Sequence, residues 1–441
     1  MKICFVPIDN RPVCYNLAKD IVSIDKAIEF YIPPREFLGD LNKTANYEAI
    51  INWLSEVPNC DVIILSLDTI AYGGLVSSRR SADSYEEVKS RLEFLKSILL
   101  EKKAKIYAFS SIMRIANNNF NIEEKEYWKD YGTKIFEYSF SGGKNKSDIP
   151  QDIIEDYLAT RKRNFEINKL YLEWQKEGLF EVLIFSKDDC AEFGFNVDEA
   201  NELEKMGGVT KTGADEIPLS LISRALKKEI KVYVKFIEPE FKDLISNYED
   251  VSIEKSVLGQ LKLADIDVVN SEKDADIVLI VNNFKEKQGE LVMGWGTEPY
   301  QGGFAFPNKP FAVADVRYAN GADNSFVTQL LEQIDLEKFY GYSAWNTSAN
   351  SLGSLIAGMK AKFKAEKYND LAFKKLQAIR FLDDWVYQAN IRSKIENPSD
   401  ISELMKAYEL VVFNKLELSR TLVKYTFPWN RIFEIEISFA E

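Results

Sequence analysis

Short apolar runs alternate with longer amphipathic stretches along most of the chain. Residues 2–7, 27–32, 62–66, 105–110, 181–185, 231–236, 276–281, 311–314 and 339–343 read as strands. Several are nearly continuous in Val, Ile, Leu and Phe, the pattern of strands buried on both faces. Helical periodicity lies between them, for example over 85–100, 152–175 and 217–226. Strand–helix alternation of this length predicts parallel sheet with right-handed crossovers. Eight or nine such strands suffice to close a barrel, so the expected fold is α/β with a (β/α)8 barrel-like parallel sheet. Open doubly wound Rossmann-like sheets, one or two, are the alternative. From 369 onward helical stretches dominate, over 371–392 and 401–424, before a short apolar end at 431–439. The expected organisation is therefore a barrel-like catalytic domain over 1–368 and a mainly helical region over 369–441. The Gly/Asn/Lys-rich stretch 141–147 predicts a surface loop. No internal repeat or low-complexity tract is visible.

The 441 residues are 46% hydrophobic and 13% aromatic, enough for a substantial core, and carry a net charge of −13. An acidic chain repels phosphate backbones, which argues against nucleic acid as a partner. The basic run Arg161-Lys162-Arg163 reads as a solvated helix face. No apolar run is long enough to span a bilayer, and Met1-Lys2 leads directly into a strand rather than a signal-peptide pattern. The expectation is a cytoplasmic protein with no membrane partner. Cys4, Cys14, Cys60 and Cys190 lack CxxC spacing and read as reduced thiols. There is no histidine. That excludes Ser-His-Asp and Cys-His machinery and imidazole-based zinc sites. Acid–base chemistry near neutral pH then falls to carboxylates, Lys, Tyr or Cys.

The candidate chemistry is positional. Ligands of parallel α/β folds bind at the carboxyl ends of strands, and here those ends are polar. The first strand runs into Asp9-Asn10-Arg11. The third runs into Asp68, Tyr72-Gly73-Gly74 and Arg79. The fourth runs into Arg114, and the fifth into Lys187-Asp188-Asp189. Later strands end at Asn282-Asn283, at Asp315 with Asn320 and Asp323 beyond, and at Trp345-Asn346 with Asn350 beyond. A single Asp or Asn after a strand is commonly the N-cap of the next helix. Gly73-Gly74 lacks the spacing of a phosphate loop and alone reads as a turn. Trp345 alone reads as core. Six or seven polar ends in register argue for a ligand site. Adjacent acids at a buried strand end repel one another, a cost often kept for function. One of Asp188 and Asp189 can stay ionised while the other holds a proton, the division of labour of carboxylate pairs in glycoside hydrolysis.

The motifs Pro7-Ile8-Asp9-Asn10-Arg11-Pro12, Asp68 with Tyr72-Gly73-Gly74-Leu75-Val76-Ser77-Ser78-Arg79, Ala319-Asn320-Gly321-Ala322-Asp323, Ala344-Trp345-Asn346-Thr347 with Asn350 and Gly353, and Phe427-Pro428-Trp429-Asn430-Arg431-Ile432-Phe433-Glu434 resemble a bacterial family catalogued as domain of unknown function 4127. The resemblance covers essentially the whole chain and names no reaction. A second likeness is mechanistic. An apolar strand followed by Asp188-Asp189, with Trp345-Asn346 later, is similar to the arrangement in O-GlcNAcase-type N-acetylhexosaminidases. That likeness implies that Asp188 orients the substrate acetamido group and that Asp189 is the general acid.

The leading expectation is a glycosidase acting on a small sugar, possibly an N-acetylhexosaminide, without cofactor. Asp188 and Asp189 are its catalytic pair. Asp9, Asn10, Arg11, Asp68, Tyr72, Arg79, Arg114, Asn282, Asp315, Asn320, Asp323, Trp345, Asn346 and Asn350 are its substrate-binding candidates. No metal ligand is assigned. The alternatives are a Mg²⁺- or Mn²⁺-dependent hydrolase or transferase using Asp9, Asp68, Asp188 and Asp315 as hard oxygen ligands, or a non-catalytic sugar or nucleotide sensor.

Overall fold

All nine expected strands form, and the most apolar of them are buried along their whole length. The computed structural model describes residues 1–146, 148–419 and 421–440. They fold as two units. The first comprises Met1–Tyr15, Ile28–Pro218 and Tyr248–Asp250; the second comprises Asn16–Ala27, Leu219–Asn247 and Val251–Glu441.

In the first unit β1 (Lys2–Val6), β2 (Glu29–Tyr31), β3 (Val62–Ser66), β4 (Lys105–Ile112), β5 (Val182–Lys187) and β6 (Val209–Thr212) build one sheet in the order β2-β1-β3-β4-β5-β6. Every neighbouring pair is parallel. All five residues of β3 are buried, which is why the run is Val-Ile-Ile-Leu-Ser with no alternation. The helix Tyr85–Glu101 begins at Ser84, whose side chain accepts from the Glu87 N–H while the Glu87 carboxylate accepts from the Ser84 N–H. Its Val88, Leu92, Leu95 and Leu99 join the core shared with Ile63, Leu65 and Ile106.

The second unit contains β7 (Lys231–Phe236), β8 (Asp267–Val268), β9 (Ile277–Asn282), β10 (Gly289–Glu290), β11 (Phe311–Asp315), β12 (Tyr318–Ala319) and β13 (Phe339–Ser343). Five of these form a sheet in the order β13-β11-β9-β7-β8, and β10 pairs with β12. All of these pairings are parallel. An antiparallel hairpin of β14 (Val423–Thr426) and β15 (Glu436–Phe439) follows near the end of the chain.

The fold is thus mixed α/β with parallel sheets, but the nine expected strands divide between two sheets instead of lining one barrel. Among the described residues no ladder joins the ends of either strand order. Barrel closure requires each new strand to be added on the same side. Here β2 lies on one side of β1 and β3 on the other. The second sheet repeats the device, with β8 and β9 flanking β7. In chain order the second sheet runs 2-1-3-4-5 and the first runs 2-1-3-4-5-6, a shared order that the sequence does not display.

Near the C-terminus the helix Asp370–Arg380 continues through Phe381–Ile391 with the wider turns of a π-helix. The helical pattern expected over 401–424 stops at Lys415, and β14 takes over. The expected loop at 141–147 has no regular structure beyond a turn at its start, with Ser147 outside the described residues. The run Arg161-Lys162-Arg163 is not a solvated face. Arg161 is buried and pairs with Glu199 at 2.8 Å, while Arg163 donates to the carbonyls of Ser78, Ser81 and Asp83. Its helix, Gln151–Lys176, packs across the first sheet, so two of three charges are drawn inward. Among the described residues no helix is long and apolar enough to cross a membrane.

Candidate functional site

Open parallel sheets take ligands at the strand carboxyl ends where the strand order reverses, and in the first sheet that reversal falls at β1. Asp9 and Arg11 follow β1 at this switch point, and Asp68 follows β3. Arg11 donates from Nε to Asp9 at 2.9 Å and from its two terminal nitrogens to Asp215 at 3.0 and 2.7 Å. All three side chains are buried. Burial pushes the Asp215 carboxyl up; Arg11 opposes this, and the charges of Asp9 and Asp188 reinforce it. Asp68 accepts the Ser111 N–H at 2.8 Å and is pushed up to about 7 by burial, against the pull of that hydrogen bond and of Arg79. Asn10 contributes backbone here, its carbonyl accepting from Arg35 at 2.8 Å. Tyr72 is buried beneath the Arg163 guanidinium, 5.0 Å from its ring centre.

Beyond β4 and β5 lies a second set of arginines and acids. Arg79 holds Asp188 at 2.8 Å and Glu124 at 3.2 Å. Arg114 holds Asp189 at 2.8 Å and Glu124 at 2.8 Å, with Glu123 at 3.2 Å and Asp188 at 3.9 Å. The two adjacent acids therefore have different principal partners. Asp189 lies at φ 30°, a left-handed turn that sends its side chain away from the extended direction of β5. Its carboxyl is pushed up to about 6, first by burial and then by Asp188, with Arg114 and Arg79 pulling the other way. It keeps a third of its side-chain surface exposed, so the raised group remains reachable. The mutual influence of Asp215 and Asp188, and of Asp68 and Arg79, makes these groups one electrostatic neighbourhood.

The remaining expected residues belong to the second unit. Asp315 ends β11 fully buried, accepting from Asn282 at 2.8 Å, the Asp323 N–H at 2.8 Å and the Tyr342 hydroxyl at 3.3 Å. Asp323 is the N-cap of the helix Asn324–Gln333 and also accepts the Tyr300 N–H at 2.7 Å. Asn320 donates to buried Glu290, and its N–H reaches the Asn346 carbonyl at 2.8 Å. Asn320 and Asn346 both have φ near 60°, a conformation asparagine tolerates. Trp345 is buried, and Asn350 lies in the first turn of the helix capped by Thr347. These residues are stitched into strand ends and caps, the ordinary reading of such positions.

Asp215, Glu123 and Glu124 complete the first unit's network without having been singled out in the sequence. Asp215 follows β6, whose Val-Thr-Lys-Thr sequence carries no strand-like apolar run. Glu123 and Glu124 sit in the irregular connection after β4. The only available signal was the Gly213-Ala214-Asp215-Glu216 turn. Among the described residues no group of three or more His, Cys, Asp or Glu is arranged to hold a metal ion.

Two parallel sheets of one strand order, one bearing a buried arginine–carboxylate network at its switch point, define an α/β protein with a polar strand-end site. The chain belongs to the DUF4127 family, described as a protein of unknown function, whose model matches residues 3–438. No curated protein matches the chain.

Proposed function

We propose that the protein hydrolyses a glycosidic bond in a small sugar, with Asp189 as general acid and Asp188 as the carboxylate that orients substrate. One observation carries this reading: two adjacent acids have different principal arginine partners, and the more exposed of the two has its carboxyl pushed up to about 6. A carboxyl poised there can protonate a leaving oxygen near neutral pH. The ligand's charge follows from the surroundings. Arg11, Arg79 and Arg114 stand among Asp9, Asp68, Asp188, Asp189, Asp215, Glu123 and Glu124, so carboxyls outnumber guanidiniums. That excess disfavours a phosphorylated substrate and suits a neutral polyhydroxyl one.

For an N-acetylhexosaminide the steps balance without a metal. Asp188 accepts the acetamido N–H. The acetamido oxygen bonds to the anomeric carbon as the glycosidic C–O bond breaks, and Asp189 gives its proton to the departing oxygen. Water then attacks the anomeric carbon, its proton returning to Asp189 as the acetamido group is released. The test is a panel of aryl glycosides, N-acetylhexosaminides included, with and without chelator. Chelator-resistant cleavage supports the reading. Cleavage abolished by chelator transfers the site to metal-assisted hydrolysis. Sugar binding without turnover makes the protein a sensor.

A further inference from the structure

The second unit has its own switch point, where β8 and β9 flank β7. Outside the carboxyl ends of β7 and β9 lies a cavity of about 320 Å³, lined by Lys235, Glu238, Lys285, Tyr300, Gln301 and Phe304 among others. This is the position at which open parallel sheets take ligands, and the volume is at the lower end of the range for small-molecule sites. None of these six residues belongs to the network in the first unit.

The charges around the cavity are unevenly satisfied. Glu238 is held by buried Arg317 at 3.0 Å. Lys285 lies 3.6 Å from Glu298 and 3.9 Å from Glu238. Lys235 differs. Its ammonium stands 4.9 Å from the Phe304 ring centre, and among the described residues no carboxylate lies within ion-pair distance of it. Glu238 and Glu298 line the cavity beside Lys285, and part of the wall is aromatic: Phe304 packs on Phe306 and Phe326, and Tyr300 packs on Phe326. A cation without a counter-ion beside fixed aromatic faces is the arrangement that accepts an anionic head on a ring-shaped body.

We infer that this cavity is a second ligand site, taking a small metabolite with a hydroxylated ring and one anionic group, carboxylate or phosphate. Lys235 pairs with the anionic group, Phe304 and Tyr300 carry the apolar face of the ring, and Gln301 reaches its hydroxyls. The site is independent of the glycosidase reading, because its residues are separate and its ligand carries the charge that the first unit's acids disfavour.

The probes are glucose 6-phosphate, glucuronate and neutral glucose, titrated calorimetrically into the full-length protein. At least one of the two anions binds, and glucose binds about tenfold more weakly or worse. The anion that binds distinguishes phosphate from carboxylate. Lys235→Ala lowers that affinity about tenfold, whereas Asp189→Asn in the first unit leaves it unchanged. Lys235 is half-buried at the end of β7 and carries no ion pair, so the variant keeps its thermal midpoint. Failure of both anions to bind, equal binding of glucose, or equal affinity of a folded Lys235→Ala overturns the inference. Loss of binding in Asp189→Asn also overturns it, by moving the anion to the first unit.

Discussion

Arg114 donates to Asp189 at 2.8 Å, the closest contact between a cation and the raised carboxyl of the acid pair. The guanidinium pulls the Asp189 pKa down while burial and Asp188 push it up to about 6. A general acid works in its protonated form, so if Asp189 has the proposed role turnover falls as pH rises through that value. Arg114→Gln removes the downward pull, and the alkaline fall in kcat/KM moves to higher pH. Arg114→Lys keeps the charge and moves it less. A profile that does not move in a folded Arg114→Gln removes Asp189 from proton transfer.

On the proposed mechanism, Asp189→Asn abolishes most turnover on aryl glycosides with poor leaving groups and spares those with good ones, which depart without a proton. Asn is the suitable replacement because φ is 30° at this position and Asn tolerates a left-handed backbone. Asp188→Asn lowers turnover on both classes, since orienting the substrate is needed whatever departs. Small, equal effects of both changes on every substrate would place the chemistry elsewhere, with Asp9 and Asp68 the next acids to replace.

Arg11 lies between two buried carboxylates, Asp9 and Asp215. Arg11→Met leaves both without their counter-ion, a loss of about 3–5 kcal/mol for a broken buried pair. Urea denaturation at pH 7 measures it. A loss under about 1 kcal/mol would mean that water or the remaining protein already screens the pair.

Strand positions were legible because a strand buried on both faces must be apolar throughout, as in Val62–Ser66 and Ile277–Asn282. Their order was not. Both a barrel and an open sheet use the same alternation, and the difference lies in whether β3 joins the free edge of β2 or the free edge of β1. β6 and the two-residue β8 carry too few apolar residues to stand out in the sequence. In the site, Arg79, Arg114, Asp188 and Asp189 follow long apolar strands and were visible. Asp215 and Glu124 arrive from a polar strand and an irregular connection, so only the folded chain brings them in. The polar strand ends of the second unit were equally visible, but Asp323 and Asn350 sit at helix starts there, as isolated Asp and Asn residues after strands commonly do.

Asp315 gives the second unit a pH dependence of stability with a fixed sign. Its carboxyl has no exposed surface and is pushed up to about 8, first by burial and then by Asp323, while the Asp323 N–H, Asn282 and Arg317 pull it down. The native chain therefore retains a proton that the unfolded chain releases near pH 4. Stability from this group is complete below about pH 4, falls by at most about 1.4 kcal/mol per pH unit as pH rises, and stops falling above about 8. Asp68 and Asp189, also raised, act in the same direction over narrower windows, so the wild-type profile alone does not isolate Asp315. The difference between wild type and Asp315→Asn does. Asn cannot ionise, and it turns an amide N–H₂ toward partners that donate, so the variant is the less stable protein at pH 4. As pH rises the wild type loses the contribution of its buried proton and the variant has none to lose. The stability gap measured by denaturant unfolding should narrow steadily from pH 4 to 8 and then level off. A gap that is constant over that range would mean that Asp315 ionises as an ordinary carboxylate, held by Arg317 and Asn282 despite its burial.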